Sequence, residues 1–127
     1  MSAKILLVKD NEQNRYLATF LLEASGFQVL HAPDGRQAIA LATRELPDLI
    51  LMDIQMPEMD GYEAARHIRA TAGLEGIPLV AVTSYAMTGD REKAMRLGFA
   101  GYLEKPIATD TFARDVARFC RKAEFLP

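Results

Sequence analysis

The chain has 127 residues, of which 50% are hydrophobic and 25% are charged, and its formal net charge at pH 7 is −2. This length and composition predict one globular domain over residues 1–127, and the near-neutral charge excludes a general attraction to nucleic acid or to an anionic membrane. The single cysteine, Cys120, excludes an internal disulfide, and no Cys/His spacing indicates zinc, so we expect a cytoplasmic protein.

The first part of the chain contains two short apolar runs, and the segment between them has the hydrophobic spacing of a helix. The run Ile5–Val8 predicts a strand and is too short for a signal peptide or a membrane span. Residues 11–25 predict a helix that Gly26 ends. The apolar face expected for this helix consists of Tyr16, Leu17, Phe20, Leu21 and Ala24. A second strand is expected over residues 27–31.

The middle of the chain contains a capped helix and the most apolar strand. Asp34 predicts the N-cap, with Gln37 three residues later as in a capping box, and the helical pattern ends at Pro47. The run Leu49–Met52 predicts a strand buried on both faces, and Asp53 follows it directly. That carboxylate would lie at the edge of an open α/β sheet where ligands bind. There it can serve as a nucleophile for a phosphoryl group or as a ligand for Mg²⁺.

The remaining elements continue the alternation of strands and helices. Helices are expected over residues 61–71, 88–97 and 108–122, and strands over residues 79–82 and 102–103. In the last helix, Phe112, Val116 and Phe119 have the spacing of a core face. Five β-α units predict an α/β fold with a doubly wound parallel sheet, covered by helices on both faces.

Polar side chains follow four of the predicted strands and would meet at one edge of the sheet. They belong to Lys9-Asp10, Asp53, Thr83-Ser84 and Lys105-Pro106. Phosphorylation of a carboxylate requires a nucleophile, acids that hold a cation, and donors to the phosphoryl oxygens. Each signal is weak alone, because a Thr after a strand usually caps a helix and a Lys before Pro usually lies in a solvated turn. Their combination at one edge is specific.

These motifs resemble the receiver domain of two-component response regulators. The resemblance is carried by Val8-Lys9-Asp10-Asn11, by Asp53 with Met56-Pro57-Glu58-Met59-Asp60-Gly61, by Val82-Thr83-Ser84 and by Tyr102-Leu103-Glu104-Lys105-Pro106. It extends from Lys4 to about Lys122 and is greatest to the stand-alone, chemotaxis-type receivers, although a receiver that is part of a hybrid histidine kinase has the same motifs. It implies a flavodoxin-like fold of five parallel strands in the order 2-1-3-4-5, flanked by five helices.

The resemblance also implies a role for each residue at the edge. Asp53 would accept a phosphoryl group from the phosphohistidine of a histidine kinase, while Thr83 and Lys105 would bind the phosphoryl oxygens. The ligands of Mg²⁺ would be Asp10, Asp53 and the Gln55 carbonyl. Tyr102 would move inward together with Thr83 as a switch. Such a domain is a phosphoacceptor that assists its own phosphorylation and dephosphorylation, and it is not an enzyme in the ordinary sense.

Lys9 departs from the family pattern, in which two adjacent acids follow the first strand. The lysine makes the metal site two charge units less negative, which at ~6 Å costs roughly 3 kcal/mol, or about a hundredfold in Mg²⁺ affinity. A second interpretation places its ammonium near Asp53 or the phosphate, where it partly replaces the metal. A third has the side chain extend into solvent and only weaken the site.

Output is expected through a downstream protein, because no second domain is predicted. The expected face is formed by helix 4, strand 5 and helix 5. Its residues are Arg91, Lys93, Ala94, Arg96, Tyr102, Glu104, Arg114 and Arg118. No direct binding to nucleic acid or to a membrane is expected.

Three hypotheses about function follow. The first is a receiver controlled by phosphorylation, and the second is a degenerate receiver that Lys9 has turned into a phosphorylation-independent interaction module. The third is a hydrolase of the haloacid dehalogenase type, which is disfavoured because Gln55 occupies the position of its second acid and no cap domain fits. A Rossmann domain is also disfavoured, since no glycine-rich turn follows Val8.

Overall fold

The computed structural model describes residues 3–9, 12–54, 61–83, 90–104 and 109–120. The strands are β1 (Lys4–Val8), β2 (Gln28–Ala32), β3 (Leu49–Asp53), β4 (Leu79–Thr83) and β5 (Gly101–Glu104). The helices are α1 (Glu12–Ala24), α2 (Gly35–Glu45), α3 (Gly61–Ala70), α4 (Asp90–Arg96) and α5 (Phe112–Phe119). Each predicted strand and helix has its counterpart here, although the boundaries differ. Among the helices of these ranges, none has the length and apolar character that crossing a membrane requires.

The five strands form one parallel sheet in the order β2-β1-β3-β4-β5, which confirms the expected fold class. Alternate residues of β3 belong to different cores, because successive side chains of a strand point to opposite faces. Ile50 and Met52 pack with α2, α3 and α4, and Leu49 and Leu51 pack with α1 and α5. Burial on both faces explains why the inner strands β1, β3 and β4 are nearly continuous apolar runs, whereas the edge strand β2 is mostly exposed or half-buried.

The apolar face predicted for α1 is wrong except at Leu21, which is half-buried and packs against the core. Tyr16 and Phe20 are 75% and 58% exposed, and Leu17 is exposed as well, whereas Ala18 and Leu22 are fully buried. The small Ala18 side chain fits a close approach between the helix and the sheet, and Leu22 lies one turn further along the same side. The buried side of α1 therefore runs through Ala18 and Leu22, and Tyr16, Leu17 and Phe20 lie outside it. We call Tyr16, Leu17 and Phe20 the apolar patch of α1.

Helix ends follow local backbone chemistry. The Asp34 carboxylate accepts a hydrogen bond of 2.8 Å from the Gln37 backbone N–H, so the predicted N-cap of α2 is confirmed. The predicted start of α5 at residue 108 is wrong, because residues 109–111 form a turn and the helix begins at Phe112. Thr109, Asp110 and Thr111 favour turns and caps over helix interiors. The predicted end of this helix at residue 122 lies outside the described ranges.

The amino-terminal edge of the sheet is held by Asp48, which immediately precedes β3 and is 4% exposed. Its carboxylate accepts a hydrogen bond of 2.8 Å from the Lys4 backbone N–H, and its own N–H donates to the Lys4 carbonyl at 2.8 Å. The Lys4 ammonium lies 3.5 Å from the Glu45 carboxylate. These bonds connect the starts of β1 and β3 to the end of α2.

The loop between α3 and β4 is organised by the Arg69 side chain. Its guanidinium donates to the carbonyls of Leu74, Glu75 and Ile77. Gly98, which follows α4 with a φ of +95°, packs against the same side chain, because a Cβ at this position would lie 3.0 Å from Arg69 Cδ. Burial lowers the pKa of Arg69, and the Glu75 carboxylate acts in the opposite direction.

Candidate functional site

Asp53 ends β3 and is 2% exposed. β3 is the central strand of the sheet, so neighbouring strands cover Asp53 on both sides. Asp53 pairs with Val82 of β4, and the next N–H, that of Ile54, donates to the Val82 carbonyl at 3.1 Å. The predicted phosphoacceptor therefore lies at the carboxyl edge of the sheet, as its position in the sequence indicates.

Lys9 lies at the same edge and is 1% exposed. Val8 pairs with Met52, so the residues that follow them, Lys9 and Asp53, occupy neighbouring positions at the ends of adjacent strands. The Lys9 N–H also extends the sheet by donating to the Ala32 carbonyl at 3.1 Å. The interpretation in which Lys9 extends into solvent is wrong. Lys9 and Asp53 are therefore both buried at this edge, and opposite charges that lie close together reduce the cost of burying either one.

Thr83 ends β4 and pairs in the sheet with Glu104 of β5. β1, β3 and β4 are contiguous, so Lys9, Asp53 and Thr83 end three adjacent strands at one edge. Tyr102 pairs with Ala81 and is buried in the core that contains α3 and α4. Its side chain therefore occupies an inward position. The other predicted site residues, Asp10, Gln55 and Lys105, lie outside the described ranges.

The described part of this edge contains only some of the residues expected around a divalent cation. Of the three expected ligands only Asp53 is described, and the buried Lys9 ammonium shares its edge. No group of three or more His, Cys, Asp or Glu side chains in the described ranges could hold a metal ion. An ammonium repels Mg²⁺ at short range and cannot act as a ligand, because it has no acceptor. The described residues therefore give this edge one buried carboxylate and one buried ammonium.

Two surface features were missed by the sequence analysis. One is the apolar patch of α1, and the other is a groove lined by basic residues of α3 and α4. Helical spacing alone places Tyr16 and Phe20 on one side of a helix, but it does not tell whether that side faces the sheet. The signal that could have identified the patch is the small residue Ala18, since small residues mark close contact between a helix and a sheet.

Comparison with known proteins agrees with this arrangement. Residues 5–117 match the family described as the response regulator receiver domain. The polar-differentiation response regulator DivK of Brucella ovis is 39% identical over 119 residues, which cover 94% of this chain and 97% of that protein.

Solved structures give the same result. One is the receiver domain of the sensor histidine kinase PA1611 from Pseudomonas aeruginosa, which has a magnesium ion coordinated in its active site cleft. It is 38% identical to this chain with a TM-score of 0.85, and the match covers 94% of this chain and 98% of that one. The chemotaxis protein CheY4 of Vibrio cholerae is 28% identical with a TM-score of 0.88, and the match covers 94% and 99% of the two chains. This chain therefore belongs to the response regulator receiver domain family of two-component signalling.

Proposed function

We propose that residues 1–127 form one receiver domain that takes a phosphoryl group from the phosphohistidine of a histidine kinase or phosphotransfer protein onto Asp53. The observation that carries the proposal is the buried Asp53 carboxylate at the carboxyl end of the central strand. A carboxylate oxygen attacks the phosphorus, the P–N bond breaks, and the imidazole leaves with its electron pair and takes a proton. The products are an aspartyl phosphate and a neutral histidine.

The other members of the proposed site bind the phosphoryl oxygens and respond to them. Thr83 supplies a hydroxyl and Lys105 an ammonium, because the charge on the oxygens must be matched by donors already in place. The location of Thr83 on the strand next to β3 supports its role. Tyr102 is the proposed switch, and its position two strands from Asp53 and next to β4 supports coupling to Thr83. The domain assists both its own phosphorylation and its own dephosphorylation.

Magnesium binding is proposed to be weak. The ligands would be Asp10, Asp53 and the Gln55 carbonyl, and the bound ion would neutralise the phosphoryl oxygens. The burial of Lys9 supports weak binding, because a charge held at the edge is not screened as a solvated one would be. For Lys9→Glu we expect Mg²⁺ affinity at least about tenfold higher by calorimetry. Lys9→Met, which removes the charge and keeps the length, should fall between the two proteins.

The apolar patch of α1 is the proposed docking surface for the phosphodonor. α1 begins at Glu12, three residues after Lys9 at the carboxyl edge, so the patch lies on the helix that starts beside the site. An exposed aromatic and aliphatic cluster favours an apolar helix face as its partner. Docking there would bring a histidine on that helix towards Asp53.

The downstream protein is proposed to bind the face formed by α4, β5 and α5. Two of the residues expected on this face do not belong to its surface. Ala94 is fully buried and Tyr102 is buried, so the sequence-based expectation that they lie on the surface is wrong. Ala94 packs inward because it lies on the side of the short α4 that covers the sheet. The described residues that remain exposed are Lys93, Arg96, Arg114 and Arg118.

One experiment tests the proposed function. The protein is incubated with acetyl phosphate and Mg²⁺, and its intact mass is measured for wild type, Asp53→Asn and Lys9→Glu. We expect one phosphoryl adduct on the wild type, none on Asp53→Asn, and faster labelling of Lys9→Glu at low Mg²⁺. A phosphoryl adduct on Asp53→Asn would overturn the assignment of the acceptor.

The degenerate receiver is the second candidate, and the buried Lys9 favours it. Its ammonium could keep the domain in one state with or without phosphate. Amide NMR with and without beryllofluoride distinguishes the two functions. A signalling receiver shows shift changes around Thr83 and Tyr102, whereas a degenerate module binds beryllofluoride without them or fails to bind it.

A further inference from the structure

A groove of about 360 Å³ lies between α3 and α4. These helices cover one face of the sheet together with α2, whereas the apolar patch of α1 is on the opposite face. The groove is lined by Tyr62, Arg66, Lys93, Arg96 and Leu97. We call it the basic groove. It shares Lys93 and Arg96 with the proposed output face, adds Arg66 of α3, and has no part in the phosphoryl chemistry proposed for Asp53.

The wall of the basic groove is built on a fixed aromatic ring. Tyr62 meets the buried Phe99 edge to face, with ring centroids 6.4 Å apart and an interplanar angle of 90°. The Lys93 ammonium lies 4.3 Å from the centroid of the Tyr62 ring, which is the geometry of a cation–π interaction. The core thus positions the ring, and the ring positions a positive charge in the groove.

The charge of the basic groove opposes that of the molecule. Three of the five lining residues are cations and none is acidic, although the chain as a whole has a net charge of −2. Within the described ranges, neither Arg66 nor Arg96 has an ion-pair partner. Like charges that share a groove repel each other, and this repulsion raises the free energy of the unliganded protein. An anionic ligand bound in the groove would relieve the repulsion.

Helix electrostatics account for only part of the cluster. Lys93 and Arg96 are in the last turn of α4, where the helix dipole favours cations. Arg66 precedes the last turn of α3, which already contains His67 and Arg69. The helix dipole therefore does not explain Arg66. Because Arg66 lies across the groove from the cations of α4, it can bind the same anionic ligand as they do.

We propose that the basic groove docks an acidic peptide segment of a partner protein. Its carboxylates pair with Arg66 and Arg96, whose guanidinium groups match a carboxylate with two parallel hydrogen bonds. An apolar side chain of the peptide packs on Leu97 and on the Tyr62 ring. An inorganic anion is the poorer fit, because it would leave the Tyr62 ring and Leu97 uncovered.

The proposal is tested with a fluorescein-labelled peptide of alternating glutamate and leucine, measured by fluorescence anisotropy. We expect saturable binding to wild type and an equal affinity for Asp53→Asn, so the result is independent of the phosphoacceptor. Arg66→Glu and Arg96→Glu should each weaken binding about fivefold or more. The matched control is Arg36→Glu, which makes the same charge change on the exposed face of α2. Equal losses in all three variants would show only net-charge attraction and would overturn the proposal.

Two comparisons test the chemistry of the ligand. A glutamate-serine peptide should bind more weakly than the glutamate-leucine peptide, because it leaves Leu97 and Tyr62 uncovered. Sodium phosphate should displace the peptide no better than sodium chloride at equal ionic strength; stronger displacement by phosphate would identify a simple anion site instead. Arg66→Gln should weaken binding and raise the Tm of the free protein, whereas a purely structural role for Arg66 would lower the Tm.

Discussion

Two aspartates of similar burial lie at the two ends of β3, Asp48 just before the strand and Asp53 at its last residue. The Asp48 carboxylate accepts from the Lys4 backbone, which joins two strands. Asp53 ends its strand beside the buried Lys9, at the edge where three strands finish. Burial alone therefore does not separate a structural acid from a proposed phosphoacceptor. The direction of the strand does, because in a parallel sheet only the carboxyl edge opens to ligands.

The largest effect should separate the two aspartates by their chemistry. Asp53→Asn should lose all labelling by acetyl phosphate or by a phosphorylated kinase, since an amide is not a nucleophile for phosphorus. Asp48→Asn should be labelled as wild type is, because it lies at the opposite edge. The measurement is the fraction of phosphorylated protein by intact mass. Loss of labelling in both variants would show that the two ends of β3 are not functionally distinct.

The second effect concerns stability. Asp48→Ala should lower the free energy of unfolding by about 2 kcal/mol, because the Lys4 N–H loses its acceptor at a part-buried position. Asp48→Asn keeps an acceptor oxygen and should lose less. Both values come from urea unfolding. A loss below about 0.5 kcal/mol for Asp48→Ala, the usual range for an ordinary surface position, would contradict the structural role.

The third effect is the energetic coupling of Lys9 to each of the two aspartates. A double-mutant cycle of Lys9→Met with Asp53→Asn should give a coupling energy of about 1.5 kcal/mol, since the two opposite charges are buried at the ends of adjacent strands. The matched cycle of Lys9→Met with Asp48→Asn should give a coupling close to zero. Equal coupling in the two cycles would show that Lys9 acts through the general field of the protein.

The smallest effect should be a gain in stability from a substitution at the amino-terminal edge of the sheet. Leu46 is the C-cap of α2, has a φ of 47° and is 54% exposed. Leu46→Gly should raise the free energy of unfolding by about 0.5 kcal/mol, because glycine adopts the left-handed conformation without a Cβ penalty. Labelling of Asp53 should be unchanged. Thermal unfolding and intact mass measure the two quantities, and a decrease in Tm would mean that the Leu46 side chain contributes more than its backbone costs.

The sequence predicted the sheet well, because a strand buried on both faces is a continuous apolar run with few alternative interpretations. It also placed Asp53 and Thr83 correctly at strand ends. It failed at α1 and at Ala94, where the face that packs on the sheet is decided by how closely two surfaces approach and not by the size of the apolar residues. It left the state of Lys9 open, since burial of a lysine depends on strands that are far apart in sequence.

The Arg69 side chain has a consequence for how this domain can change over evolution. Its guanidinium donates hydrogen bonds to three carbonyls of the connection between α3 and β4. The aliphatic part of the same side chain packs on Gly98, which follows α4. An insertion or deletion among residues 71–76 would move at least one carbonyl out of reach, and a side chain at position 98 would push the stem away. We therefore expect relatives that keep this arginine to keep the length of the connection between α3 and β4 and a glycine at position 98.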